Sequence, residues 1–159
     1  MKRVILFSLA SLLVLGGLLY LLNRKPGTVD VPLSAIDEAF QAAPGAEVME
    51  AYGPLRLLRD FGLTAEDYEE VLYYGQSDTM AVNVFLLIKL KTADQRKTVA
   101  AAYDGYLRDM KAAFAGYGPE QVALLEAAER YDNGLYAALL VSPEAAAWRS
   151  LITDRTEAR

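Results

Sequence analysis

The densest set of groups able to do chemistry in this 159-residue chain is acidic: Glu66, Asp67, Glu69 and Glu70, with Asp78 a few residues beyond. Oxygen ligands so close in sequence suggest a hard cation. Calcium, however, asks for about six to eight oxygens in a shaped loop, and the D-x-[DN]-x-[DN]-G order of such a loop is missing. A helix-start cap followed by a solvated strand face accounts for the same residues, so no metal ligand and no cofactor is assigned. Two carboxylates facing each other across a cleft at roughly 5 to 9.5 Å would cleave a glycosidic bond, and an acidic sequence leaves that alternative open.

Ten tyrosines form a second group. Tyr68, Tyr73, Tyr74, Tyr103, Tyr106, Tyr131 and Tyr136 all fall on expected strands or on the longest helix. Exposed together they would make a sugar or protein contact surface; packed in the core with hydroxyls at the rim they are structural. A serine–lysine nucleophile needs a Ser beside a desolvated Lys. Lys89 and Lys91 end a strand and read as exposed, which disfavours that option. The chain has neither Cys nor His, which removes disulfides, thiolate nucleophiles and ligands, and any imidazole base. No catalytic residue is assigned, and the sequence singles out no binding residue.

The elements that must position these groups begin with a membrane device. After Lys2 and Arg3 comes VILFSLASLLVLGGLLYLL, uncharged from Val4 to Leu22, and then Asn23-Arg24-Lys25. At about 1.5 Å per residue this run reaches roughly 28 Å, the thickness of a bilayer's hydrocarbon. A cleaved secretory signal would end at small residues, and Tyr20-Leu21-Leu22-Asn23 offers no such site. Basic residues flank both ends, so the positive-inside rule nearly cancels. Short anchors at an extreme N-terminus commonly export the chain behind them, which favours a domain outside the cytoplasm. Residues 1–25 are therefore expected to be a transmembrane anchor, 26–32 a linker, 33–153 one domain and 154–159 a frayed tail.

Without Lys2, Arg3, Arg24 and Lys25, 12 basic residues face 21 acidic ones. Such a domain repels nucleic acid phosphates. Ser34 and Asp37 predict a helix through Ala43, with Ile36 and Phe40 on one side. A short helix over Pro54 to Phe61 presents Leu55, Leu58 and Phe61, and Gly62 supplies a left-handed stop. A strand is expected over Glu69 to Tyr74. A second covers Met80 to Leu90, where Val82, Val84, Leu86, Ile88 and Leu90 alternate with Phe85 and Leu87; both faces are apolar, so this strand should be central and covered twice. Thr92 and Gln95 form a capping box for the longest helix, Ala93 to Ala115. Pro119 opens another to about Ala127. Asn133-Gly134 predicts a hairpin between short strands at Ala128 to Asp132 and Leu135 to Val141. Ser142-Pro143-Glu144 caps a final helix whose Ala147, Trp148, Leu151 and Ile152 face inward. The fold class is α+β: an antiparallel sheet of about four strands with helices packed on it, preceded by one N-terminal transmembrane helix.

The stretch GLTAEDYEEVLYYG, the strand MAVNVFLLIKLK, the long helix, YGPEQVALLEAA and the closing DNGLYAALLVSPEAA resemble the bacterial domain-of-unknown-function family numbered 4358, over roughly residues 33 to 153. Family members are small exported proteins, many of them lipoproteins, with a Gly-Asn-Tyr-like hairpin before the last strand. Here the hairpin reads Asn133-Gly134-Leu135-Tyr136, and the lipid-bearing Cys is replaced by the apolar leader. The resemblance implies a location outside the cytoplasm and a partner in a membrane O-acyltransferase system; it carries over no catalytic residue. The expected function is a non-enzymatic, membrane-anchored extracytoplasmic binding module of the cell envelope. The alternatives are a carboxylate-dependent enzyme acting on envelope polysaccharide, or a structural subunit of a membrane complex.

Overall fold

The computed structural model describes residues 27–158. The anchor expected over residues 1–25 lies outside the described residues. Among the described residues no helix is long and apolar enough to cross a membrane.

Five strands form one antiparallel sheet: β1 (Glu50–Ala51), β2 (Glu70–Gly75), β3 (Val84–Lys89), β4 (Glu129–Asn133) and β5 (Tyr136–Val141), in the order β1-β2-β3-β5-β4. Five helices cover it: α1 (Leu33–Gln41), α2 (Pro54–Phe61), α3 (Arg96–Phe114), α4 (Pro119–Glu126) and α5 (Ala145–Thr156). The fold is α+β, with five strands instead of about four. The additional strand, β1, has two residues and pairs only Glu50 with Gly75 and Ala51 with Tyr74.

Period-two alternation along β3 divides the core. Val84, Leu86 and Ile88 point to one face, where they meet Leu57 and Phe61 of α2, Val99, Tyr103 and Leu107 of α3, and Leu125 of α4. Phe85 and Leu87 point to the other, against Ile36 and Phe40 of α1 and Trp148 and Ile152 of α5. On that second face Phe40 stacks on Phe85 at 3.9 Å between centroids and meets the Trp148 ring edge-on at 5.2 Å. The Trp148 indole N–H donates to the Pro44 carbonyl at 2.9 Å, so this ring is buried with its one polar group satisfied. Burying each such side chain contributes about 1.5 to 3 kcal/mol.

Several expectations shift for identifiable reasons. The strand expected over 80–90 is regular only from Val84 to Lys89, because its pairing with β2 ends at the Val84–Gly75 register and residues 76–83 leave as a loop. On α2 the buried pair is Leu57 and Phe61, four apart, while Leu55 is 83% and Leu58 48% exposed. Ser34 lies inside α1, which starts after Pro32. Ala147 is exposed, whereas Trp148 and Ile152 are buried as expected. In the β4–β5 hairpin the loop residues are Gly134 and Leu135, since Asn133 pairs with Tyr136 as the last residue of its strand. Only Gly134 takes a positive φ, 57°, which suits a turn with glycine at its first central position. The tail expected to fray from Asp154 is helical to Thr156, and Thr156 is fully buried.

The antiparallel register gives the sheet two distinct ends. Glu70, Lys89, Tyr136 and Asn133 lie at one, and Gly75, Val84, Val141 and Glu129 at the other. The chain comes in at the first end. Thr28 bridges to Glu157, its hydroxyl donates to Asn133 Oδ1 at 3.2 Å, and the Ala158 amide donates to the Gly27 carbonyl.

Candidate functional site

At the second end of the sheet α2, the 76–83 loop and α3 enclose a polar cleft of about 390 Å³. It is built outward from α2. Pro54 occupies the first helical position, where its missing N–H costs nothing, and Gly62 (φ 67°) ends the helix as expected. With Leu57 and Phe61 turned into the core, the helical spacing places Arg56 beside both Arg59 and Asp60. Asp60 is the keystone: Oδ2 accepts hydrogen bonds from Arg56 Nε at 2.5 Å and the Tyr73 hydroxyl at 2.7 Å, and Oδ1 accepts from Arg59 Nε at 3.1 Å. Burial by itself would push the Asp60 carboxyl up. The hydrogen bonds from Tyr73, Arg56 and Arg59 outweigh it and hold the group below its usual range. Burial, reinforced by the bond to Asp60, pushes the Tyr73 hydroxyl far up, so it stays a donor.

Arg56 is held from its other side by Tyr52, whose ring lies 4.6 Å below the guanidinium carbon. Tyr52 packs edge-on against Tyr73 at 5.1 Å and donates its hydroxyl to the Gln76 carbonyl at 2.6 Å. Only glycine at position 75 allows this. A Cβ there would come within 2.4 Å of Tyr52 Cε2. Both arginines spend Nε on Asp60, and among the described residues their Nη groups bond to no protein acceptor. The acids on the rim are already engaged: Asp78 accepts from the Met80 amide at 2.8 Å, and Asp109 pairs with Arg108 at 2.9 Å. Gln76, Thr79 and Asn83 complete a wall of amides and a hydroxyl.

A second charged cluster sits at the opposite end of the sheet. Lys89, read from the sequence as exposed, has a side chain only 6% accessible, and Asp30 from the segment before α1 pairs with it. Its ammonium lies 2.7 Å from Asp30, 3.3 Å from Glu69 and 3.4 Å from Glu70. The hydrogen bond to Asp30 raises its pKa, burial opposes that, and Glu69 adds to it. A lysine nucleophile or base needs the reverse shift, so the serine–lysine option fails for a reason other than exposure. The second oxygen of Glu70 accepts from the Leu33 amide at 3.0 Å, fastening the start of α1. Lys91 is exposed and donates to the Glu66 carbonyl at 2.6 Å.

The acidic group picked out in the sequence is thereby dispersed. Glu66 and Asp67 lie on a 3-10 turn, Glu69 and Glu70 face Lys89, and Asp78 belongs to the far loop. Among the described residues no three carboxylates converge to hold a metal ion. Tyr68, Tyr73, Tyr74, Tyr103, Tyr131 and Tyr136 are buried and Tyr106 is half-buried, so these tyrosines build the core and make no exposed contact surface. Arg56, Arg59 and Asp60 were missed because R-L-L-R-D on a short helix has the pattern of a solvated face. The signal that could have found them is the pair of arginines three apart with one carboxylate in reach of both.

Residues 47–142 match the family model Domain of unknown function (DUF4358). The chain belongs to this family. No curated protein and no solved structure matches it. The matched stretch of this DUF4358 chain contains the whole Arg56–Asp60–Tyr73 cluster and its support from Tyr52 and Gly75. Asp30, which closes the Lys89 cluster, lies outside it.

Proposed function

We propose that this DUF4358 protein is a non-enzymatic binding module of the bacterial cell envelope, anchored by residues 1–25 with its body outside the cytoplasm, and that the Arg56–Arg59 cleft holds its ligand. One observation carries the reading: a single carboxylate fixes two guanidinium groups at the mouth of an open cleft while their Nη donors stay unspent. Held in place by Asp60, these exposed guanidinium edges can exchange water for a bidentate acceptor with little loss of side-chain freedom. The cleft also lies at the end of the sheet away from Gly27. A tether to the membrane raises its effective concentration there. Leu55 and Leu58, exposed on the outer side of α2, offer an apolar patch beside the cleft for a protein partner. A membrane O-acyltransferase system is the partner proposed. Asp60, held down by its bonds from Tyr73, Arg56 and Arg59, does not suit the acid's role in the glycosidase alternative.

The test is a photoreactive amino acid in place of Thr79, which lines the cleft and is exposed. In intact cells it should give adducts with envelope material in the membrane fraction, identified by mass spectrometry. Adducts with cytosolic proteins alone, or none, contradict the proposal.

A further inference from the structure

We infer that the group held in the cleft is the carboxylate of a uronic acid unit within an otherwise uncharged glycan, bound by the Nη edges of Arg56 and Arg59. The inference rests on the reading of the cleft as the binding site and names its ligand class. Arg56 and Arg59 outnumber Asp60 by one positive charge beside their Nη edges, which draws a single carboxylate there, while Asp78 and Asp109 in the same lining oppose any further negative charge. A planar carboxylate fits the guanidinium fork, where a bidentate pair gives orientation as well as attraction. Asp78 and Asp109 stand on the rim, and the body as a whole is acidic, so a dianion or polyanion is repelled. The remaining lining is polar: Gln76, Ser77, Thr79 and Asn83 present amides and hydroxyls suited to sugar hydroxyls. Its apolar part is Ala81, Val84 and Met110 together with the rings of Tyr52, Tyr73 and Tyr106, and aromatic faces of this kind suit the C–H face of a sugar ring. Tyr52, seated against Gly75, sets the position of Arg56.

The experiment is ligand-observed NMR with the full chain in detergent, using methyl glucuronide and methyl glucoside, which differ only at the carboxylate, and acetyl-Ala-Ala as a peptide carboxylate. Methyl glucuronide should bind about tenfold more tightly than methyl glucoside, as expected for charge-assisted hydrogen bonds, and weaken with added salt. Arg59→Gln should remove that advantage without moving the melting temperature, since Arg59 is 63% exposed. Equal binding of the two glycosides, tighter binding of acetyl-Ala-Ala, or an undiminished preference in Arg59→Gln overturns the assignment. If no probe binds while the adduct from position 79 persists, the uronate falls and the binding cleft stands. If the adduct is absent too, both fall.

Discussion

The two charged clusters at opposite ends of the sheet use the same chemistry in opposite proportions. Around Lys89 one cation meets three carboxylates, and an ammonium has three N–H groups to give. Acceptors outnumber the one cation. Around Asp60 one carboxylate meets two guanidiniums and a tyrosine hydroxyl, and it is the acceptor that is used up while Nη donors remain. Saturation makes a clamp: Lys89 ties the segment before α1 to the central strand, and Glu70 ties the start of α1 to the same spot. Surplus is what the proposed site uses. Asp60 is the more sheltered anion, and under the proposed function it aims two cations at a ligand.

The comparison can be broken from either side. The largest effect is expected for Asp60→Ala, which leaves the buried Tyr73 hydroxyl without its acceptor and two arginines without their counter-ion; urea unfolding should show a loss of about 3 kcal/mol together with lost glucuronide preference. Lys89→Ala should cost about 2 kcal/mol in the same assay, less because its three partners can return to water, and should leave methyl glucuronide binding unchanged. Gly75→Ala drives a Cβ into the Tyr52 ring. A loss of about 1 kcal/mol is expected, with weaker glucuronide binding through the displaced Arg56. If Lys89→Ala abolished binding, or Gly75→Ala left it intact, the division of labour would be wrong.

The smallest effects are those of pH, and their signs separate the clusters. Asp60 is depressed in the fold, so its contribution is present above the ordinary carboxyl value of 3.8 and disappears as pH falls through the lower folded value. Lys89 is raised, so its contribution is complete below the ordinary lysine value of 10.5 and disappears as pH rises through the higher folded value. Melting temperatures across pH should therefore show Asp60→Asn converging on wild type only in strong acid. Lys89→Gln should converge only in strong alkali.

Local and strongly periodic features were legible in the sequence. The double apolar alternation of β3 foretold a central strand covered on both faces, because burial on both sides needs nothing but that strand's own residues. The Thr92–Gln95 capping box is likewise a matter of four consecutive residues, and the Gln95 side chain accepts from the Thr92 amide at 3.3 Å. What stayed hidden depended on distant partners. Lys89 is paired with Asp30, 59 positions away in sequence, and a terminal strand lysine otherwise faces water. Asp60 gains its meaning from Tyr73, which the sheet brings under α2. β1 is too short to show any alternation. On α2 a three-residue spacing of Leu55, Leu58 and Phe61 competed with the four-residue spacing of Leu57 and Phe61, and packing chose the latter.

The most direct measurement is the exchange of side-chain protons by ¹⁵N NMR on the full chain in detergent, with and without methyl glucuronide. The Lys89 Nζ protons should exchange slowly in both samples. The Arg56 and Arg59 Nη protons should exchange fast in the free chain and become protected when the glucuronide is added. Arginine protons already as protected as those of Lys89 in the free chain, or unaffected by the ligand, would contradict the account.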